Sequence, residues 1–236
     1  AGRVRRFKKG SGLPLKVPVI DLIEIGAGGG SLARVDNMGL LKVGPDSAGS
    51  EPGPVCYGLG GTQPAVTDAD LLLGYLSPEY FLGGEMDLEL GSVKDAVDVK
   101  LAHVTGLTVE EVAAGIHSIV NENMASATRM YIAEKGRDPR RYSLVASGGA
   151  GPVHAYGMAK LLKISRVICP LGAGVLSALG FLVAAPGTDS VRSYVSRLEN
   201  LDWGRLNGLF AEMEAEAMAQ IVEAAGLGRA IGGKPI

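Results

Sequence analysis

The stretch Tyr142-Ser-Leu-Val-Ala-Ser-Gly-Gly-Ala-Gly-Pro-Val-His-Ala155 decides the fold, because an apolar run stops at a glycine cluster and resumes as a helix. Residues 142–146 are apolar enough for a buried strand, and residues 153–162 are rich in good helix formers. The glycines between them can adopt positive φ, so that backbone N–H groups converge on an anion at the positive end of the helix. Glycines in such a turn also permit close strand–helix packing without a ligand. A binding loop and a packing turn therefore both stay possible here.

The same order of elements recurs on both sides of this stretch. Residues 166–170 are strand-like and lead into a glycine loop and an apolar helix at residues 171–181. Upstream, the β-branched residues 17–25 predict a strand that ends in the glycine loop 26–31. A succession of strand, loop and helix is typical of the α/β class, which we therefore predict for this chain.

Two capping patterns predict helix starts. Thr108 and Glu111 form a capping box, and apolar residues then recur at steps of three and four, so we expect one long helix to about Lys135 with Gly136 as its terminator. Thr67 and Asp70 have the same spacing ahead of a leucine-rich run, which predicts a short helix.

The remaining segments are less regular. Residues 31–35 and 40–43 flank Asp36-Asn-Met-Gly39, a pattern that predicts a β-hairpin. Residues 44–61 hold too many prolines and glycines for a helix or central strand and predict an ordered loop. We expect a strand within residues 187–198 and an amphipathic helix over residues 202–225.

Composition excludes several classes of function. The 236 residues suffice for one large or two small domains. A net charge of −2 provides no positive electrostatic potential that would attract nucleic acid. No apolar run approaches the roughly 20 residues that a bilayer span requires. Two cysteines cannot build a disulfide framework, which favours a reducing cytoplasm. The 35 glycines are concentrated in loops, which indicates shaped loops on a rigid frame.

Three side chains, Asp68, Asn123 and His154, are candidates for function on residue chemistry alone. Asp68, at the start of a predicted helix, can stabilise the helix dipole or hold a cation or a substrate amine. Asn123 lies off the apolar stripe of the long helix, where a solvated position and a polar contact are both possible. His154 follows the glycine turn, so we expect the helix dipole to lower its pKa and a ligand to lie nearby. His117 is expected to be a surface or internally satisfied histidine.

Seven motifs in register resemble the hydantoinase A / 5-oxoprolinase family, which includes ATP-using subunits of N-methylhydantoinase and of acetone and acetophenone carboxylases. The resemblance covers roughly residues 14–198 and leaves a basic leader (residues 1–13) and a C-terminal helix with its tail (residues 199–236) outside it. The motifs are Ile25-Gly-Ala-Gly-Gly-Gly-Ser31, Gly44-Pro-x-Ser-Ala-Gly49, Pro52-Gly-Pro-x-Cys-Tyr-Gly58, Val66-Thr-Asp-Ala69, Tyr80-Phe-Leu-Gly-Gly84, Gly148-Gly-Ala-Gly-Pro-x-His-Ala155 and Gly174-Val-Leu-Ser-Ala-Leu-Gly180.

The resemblance implies part of an actin-like ATPase domain of the ribonuclease H-like, sugar-kinase and heat-shock type, with an inserted Gly/Pro-rich loop region. It places a nucleotide against the adenosine loop and its neighbours: Gly148, Gly149, Ala150, Gly151, Pro152, His154, Gly172, Gly174 and Ser177. It suggests a catalytic role for Asp68 and a substrate-side surface made of Gly28, Gly29, Gly30, Ser31 and Asn123.

The implied chemistry is ATP- and Mg²⁺-dependent activation of the carbonyl oxygen of a cyclic amide such as a hydantoin or 5-oxoproline, followed by hydrolysis. An ATP-using carboxylase subunit acting on a ketone and a non-catalytic assembly module are the alternatives. The expected partner is a hydantoinase B-type subunit in a cytoplasmic hetero-oligomer. Asp-x-Gly-Gly-Thr phosphate loops do not occur in this sequence, so we expect an internal fragment that is inactive when isolated.

Overall fold

A computed structural model describes residues 22–185 and 187–230 of the chain. The chain divides into two compact units, one comprising Glu24–Phe181 and the other comprising Ala1–Ile23 with Leu182–Ile236. The domain bounds expected from sequence, residues 14–198 and 199–236, stay a prediction. The basic leader over residues 1–13 and most of the strand predicted for residues 17–25 lie outside the described residues, and residues 22–25 form no strand.

The first unit opens with the hairpin that the sequence predicts. Strand β1, Ser31–Val35, pairs antiparallel with strand β2, Leu41–Ser47. The turn is fixed by Asp36, whose Oδ1 accepts hydrogen bonds from the backbone N–H groups of Met38 and Leu40, each at 2.9 Å. An Asx-type contact of this kind holds the turn closed without help from the rest of the fold.

The helix predicted from Thr67 and Asp70 is present, but it is capped differently. Helix α1 spans Val66–Leu72, and the carboxylate of Asp68, not that of Asp70, accepts the N–H of Ala65 at 2.7 Å. Asp68 also accepts the N–H groups of Val55 and Cys56, at 3.1 and 2.8 Å. The capping prediction was therefore wrong in detail, because the long loop before α1 supplies donors that a local pattern does not reveal.

The predicted long helix is confirmed. Helix α2 (Leu90–Val97) continues through a π-helical turn into the short helix α3 (His103–Thr105), and helix α4 spans Val109–Glu134. Both hydrogen bonds of the capping box are present. The N–H of Thr108 donates to Oε2 of Glu111 at 2.9 Å, and the N–H of Glu111 donates to Oγ1 of Thr108 at 3.2 Å. One face of α4 packs on the hairpin, α1 and α2, and its buried side chains are Val112, Ala113, Ile116, Val120, Asn121 and Ala125.

The strand–loop–helix order that predicted the α/β class is present after α4. Strand β3 (Leu144–Val145) pairs in parallel with strand β4 (Val167–Ile168), and the connection between them is helix α5, Gly151–Leu162. Helix α6, Leu176–Val183, follows β4. Strand β4 is solvent-exposed at both of its residues, although parallel sheets are normally covered on both faces. The exposed face of this small sheet is therefore suited to packing against further polypeptide.

The second unit is built on helix α7, Trp203–Ala230. The strand expected within residues 187–198 is absent, which corrects that prediction. Side chains link this extended segment to α7: Thr188 donates to Gln220 at 2.8 Å, and Arg192 pairs with Glu216. In the described part of the chain, no helix combines the length and apolar character that crossing a bilayer requires.

Asp68→Asn should loosen the loop before α1. An amide at this position replaces one carboxylate oxygen with a donor, so at least one buried N–H loses its acceptor, at a cost of about 2 kcal/mol. Within the complete reading frame, we expect the amide protons of Val55 and Cys56 to exchange roughly 30-fold faster in hydrogen-exchange measurements. Asp46→Asn, at an exposed carboxylate paired with Arg34, serves as the control and should leave these rates unchanged. Equal rates in the two variants would contradict the role given to Asp68.

Candidate functional site

A cavity of about 390 Å³ lies in the first unit, between the two glycine loops that the sequence singles out. Its size falls within the range of small-molecule sites. Its lining is mostly apolar and aromatic, with Thr67 and Asp70 as the polar side chains. The lining residues are Gly29, Gly30, Tyr57, Thr67, Asp70, Leu76, Phe81, Leu82, Gly149, Ala150 and Val153.

The glycine loop before β1 is attached to the first turn of α1. The N–H and the hydroxyl of Thr67 both donate to the carbonyl of Gly29, at 2.8 and 2.9 Å. Within the loop, the N–H of Gly28 donates to the hydroxyl of the buried Ser31 at 3.0 Å. Of the substrate-side residues expected from sequence, Gly29 and Gly30 therefore line the cavity, whereas Gly28 and Ser31 shape the loop behind it.

The second glycine loop precedes α5 and faces the same cavity through Gly149 and Ala150. Gly148 has a φ of +86°, a conformation that favours glycine, and its N–H donates to the carbonyl of Ala173 at 2.9 Å. That bond brings the third glycine loop next to the second. No atom lies within 4 Å of a Cβ placed on Gly148, Gly149 or Gly174, so space beside these residues is open.

The other predicted nucleotide contacts are placed as follows. Gly151 and Pro152 form the first turn of α5, where free N–H groups and the helix dipole favour an anion or a polar group. Gly172 and Ser177 lie outside the cavity lining, and both are exposed. Their contact with a nucleotide stays a prediction.

Behind the cavity wall, Asp70 meets two histidines from different helices. His117 of α4 places Nδ1 2.7 Å from Asp70 Oδ1, and His154 of α5 places Nε2 3.5 Å from Asp70 Oδ2. The two imidazole rings are stacked with centroids 4.9 Å apart, and Tyr75 packs on the His117 ring at the same distance. Asp70 alone of the three also lines the cavity.

His154 is fully buried, and only one of its nitrogens has a partner. Its Nδ1 lies 3.0 Å from Oδ1 of Asn121, and with the amide in this orientation Nδ1 is the donor of the hydrogen bond. Nε2 is then a bare lone pair, and it has no hydrogen-bond partner. The lowered pKa expected from sequence is confirmed, at about 4, but the main cause is burial, followed by repulsion from His117. The expected contact with a nucleotide stays a prediction, which this burial does not favour.

Asp70 has the opposite perturbation. Burial raises the pKa of its carboxyl to about 6, and the hydrogen bond and electrostatic attraction of His117 limit that rise. An aspartate whose pKa lies this close to neutrality, in a cavity wall, is typical of functional sites.

Two further candidates, Asp68 and Asn123, lie away from the cavity lining. Asp68 is fully buried with both oxygens bonded to backbone N–H groups, so its contacts stabilise the fold, and its catalytic role stays a prediction that they do not favour. Asn123 is exposed, whereas Asn121 contacts His154. Sequence reasoning missed His117 and Asn121. The available signal was their spacing, since residues one helical turn apart share a face of α4.

Gly157→Ala should disturb this group through Asn121. A Cβ on Gly157 would lie 2.4 Å from Nδ2 of Asn121, so the amide must move away from His154. We expect a lower thermal unfolding midpoint for Gly157→Ala in calorimetry, despite the better helix propensity of alanine. Gly91→Ala, at an exposed helical glycine of α2 with open space around it, is the matched control and should be neutral or stabilising. A stabilised Gly157→Ala would refute the packing described for Asn121.

Comparison with known proteins identifies several relatives. The chain is 44% identical over 169 residues to the acetophenone carboxylase gamma subunit of Aromatoleum aromaticum, covering 69% of this chain and 23% of that protein. A nucleotide-free acetone carboxylase structure, from a study of ATP-dependent acetone carboxylation, superimposes with a TM-score of 0.70 and 32% identity over 85% of this chain and 29% of the other. The ATP-dependent caprolactamase of Pseudomonas jessenii gives a TM-score of 0.67 and 40% identity over 82% and 28%, respectively.

The chain therefore spans less than a third of the length of each of these relatives. The similarity extends through both glycine loops and the helices that carry Asp70, His117 and His154, because a sequence profile of the Hydantoinase/oxoprolinase family matches residues 2–190. On that match, the chain belongs to the hydantoinase/oxoprolinase family.

Proposed function

We propose that this chain forms one wall of the active site in a subunit of an ATP-dependent enzyme that hydrolyses a cyclic amide. The observation that carries the proposal is the convergence of the two glycine loops, through Gly29, Gly30, Gly149 and Ala150, on a single cavity. Loops from distant parts of the sequence, placed around one concave site, are the arrangement expected of a substrate-binding centre.

The loop at residues 148–151 is proposed to hold the adenosine side of ATP. Open space beside Gly148 and Gly149 leaves room for a ligand, and the first turn of α5 offers N–H groups to it. The phosphate-binding carboxylates would come from polypeptide beyond the described residues, as in an actin-like ATPase whose second lobe closes on the nucleotide. Such an arrangement also accounts for the exposed faces of β3 and β4.

The cavity suits a small, mostly apolar ring with one polar edge. Aromatic and aliphatic side chains supply most of its lining, and Thr67 and Asp70 supply the polar groups. A cyclic amide has this distribution of apolar and polar surface. Hydrophobic contact with the ring would orient its amide edge toward the polar side of the cavity.

ATP, when bound, would supply the phosphoryl group that activates the amide oxygen. Transfer of the γ-phosphoryl group to that oxygen would release ADP and make the carbonyl carbon electrophilic. Water would then add to this carbon, the ring C–N bond would break with the amine as leaving group, and a second water would release inorganic phosphate from the resulting acyl phosphate. Mg²⁺ is proposed only as the companion of the nucleotide phosphates, because it prefers oxygen ligands, whereas the converging group at Asp70 is rich in imidazole. A water near Asp70 could lose its proton to that carboxylate.

An ATP-using carboxylase subunit is the second candidate. The similarity to the acetone carboxylase structure favours it as strongly as the similarity to caprolactamase favours hydrolysis. In the hydrolase and in the carboxylase alike, the cavity would hold the substrate whose carbonyl oxygen is activated.

A module that assembles with other subunits, among them one of hydantoinase B type, is the non-catalytic alternative. The relative named as a gamma subunit supports assembly. A cytoplasmic setting remains part of the proposal, with Cys56 and Cys169 as free thiols.

The reaction class can be tested by substrate-stimulated ATP hydrolysis. The protein, expressed within its complete reading frame with the subunits that copurify, is assayed with hydantoin, 5-oxoproline, caprolactam and acetone, the last with bicarbonate. We expect a lactam or hydantoin to stimulate phosphate release and a ring-opened product to accumulate. If acetone alone stimulates ATP hydrolysis, the carboxylase function is correct. If none of the compounds stimulates it, the catalytic proposals are refuted and the assembly module remains.

Gly149→Val tests the nucleotide loop. A branched side chain at this position would extend into the open space that the proposed adenosine occupies, so we expect ATP-analogue affinity measured by calorimetry to fall at least tenfold. Gly187→Val, at an exposed glycine outside the cavity lining, is the matched control. Unchanged affinity in a folded Gly149→Val protein would remove this loop from the nucleotide site.

A further inference from the structure

In the group formed by Asp70, His117 and His154, one contact joins two atoms that both accept hydrogen bonds. The proton on Nδ1 of His154 is directed to Asn121, so Nε2 presents a lone pair. The atom opposite, 3.5 Å away, is Oδ2 of Asp70, another acceptor. Both side chains are nearly fully buried, with exposures of 1% and 3%. Two buried acceptors that face each other repel, and a positively charged species between them, a proton or a metal ion, relieves that repulsion.

The His154 ring cannot easily turn to relieve this contact. Its Nδ1 is held by Asn121, and the Asn121 amide packs against the backbone of α5 at Gly157, where no side chain intervenes. Rotation would exchange a satisfied nitrogen for an unsatisfied one, at a cost of about 1–3 kcal/mol. The lone pair is therefore directed at Asp70 by the packing of α4 against α5.

His117 completes a three-ligand arrangement. Its ring lies against that of His154, and one ligand atom can be chosen from each of the three side chains such that all lie within 4.8 Å of one another. Among residues 22–185 and 187–230, this is the group of histidine, cysteine and acidic side chains that converges closely enough to hold a metal ion. Ligand atoms around a tetrahedral ion with bonds of about 2.0 Å lie roughly 3.3 Å apart, so the most distant pair would have to approach by up to about 1.5 Å when the ion binds.

We propose that Asp70, His117 and His154 bind a divalent transition-metal ion, with Zn²⁺ as the best match. Two imidazoles and one carboxylate are ligands that Zn²⁺, Fe²⁺ and Co²⁺ share, whereas Mg²⁺ and Ca²⁺ require oxygen. Asn121 is the outer partner that fixes the metal-binding tautomer of His154. The site does not depend on the activity proposed above, since it rests on the contacts of these four side chains.

Three protein ligands leave a coordination position for water or substrate, as in catalytic zinc sites. Asp70 belongs both to this group and to the cavity lining, so the ion would lie beside the cavity. A metal there could polarise a carbonyl oxygen or lower the pKa of a bound water. The ion is thus distinct from the Mg²⁺ expected to accompany the nucleotide phosphates.

The test measures metal binding directly. The protein from its complete reading frame, with its copurifying subunits, is stripped with a chelator and titrated with ZnCl₂ by calorimetry and with CoCl₂ by visible absorption. Asp70→Asn and His117→Gln are compared with wild type. Asparagine nearly preserves the shape of Asp70, and His117 is partly exposed, with a side-chain exposure of 13%, so both variants should fold, which circular dichroism checks.

We expect each variant to lose one Zn²⁺ per chain, or to bind it at least about 100-fold more weakly, since even outer partners of metal ligands contribute 10–100-fold. The visible absorption of Co²⁺ in a nitrogen-rich tetrahedral site should be absent in the same variants. In the wild-type protein, excess MgCl₂ should not compete with Zn²⁺ for the site. His103→Gln is the control, because that histidine has a 74% exposed side chain and lies outside the group. Wild-type stoichiometry and affinity in both variants, or equal losses in His103→Gln, would overturn the proposal.

Discussion

The carboxylate of Asp68 is the constraint on which the candidate site depends. It gathers the N–H groups of Val55, Cys56 and Ala65 in a fully buried position, where each would be costly to leave unpaired. These bonds join the Gly/Pro-rich loop to the start of α1. Helix α1 in turn directs Thr67 to the first glycine loop and Asp70 to the histidines. Asp68 thus helps to position Asp70, two residues later in the same helix, while its predicted action on substrate stays a prediction.

Two helices and two loops converge on Asp70. Helix α4 contributes His117 and Asn121, and α5 contributes His154. The loop before α5 faces the cavity, while the first residues of α5 carry the histidine inward. The proposed nucleotide loop and the proposed metal ligand His154 are therefore connected through a single helix, α5. This connection provides a physical reason for combining nucleotide binding and carbonyl activation in one family of proteins.

Local patterns in the sequence predicted the hairpin, α4 with its capping box, the turn before α5 and the α/β class. They failed where distant residues decide the structure. Asp68 accepts donors from a loop 12 and 13 residues away, so its cap could not be inferred from spacing. The contact of Asn121 with His154 was not predicted, because it depends on the packing of α5 against α4. Residues 187–197 form no strand, and Thr188 instead contacts Gln220 of α7 through its side chain.

The central claim is that a cation occupies the space between two buried acceptors, Nε2 of His154 and Oδ2 of Asp70. Anomalous diffraction at the zinc absorption edge, from crystals of the complete protein grown with ZnCl₂, tests this claim most directly. The account predicts an anomalous peak bonded to Asp70, His117 and His154 at about 2.0–2.2 Å from each ligand atom. A map without this peak, in which His154 and Asp70 approach within hydrogen-bond distance and share a proton, would contradict it.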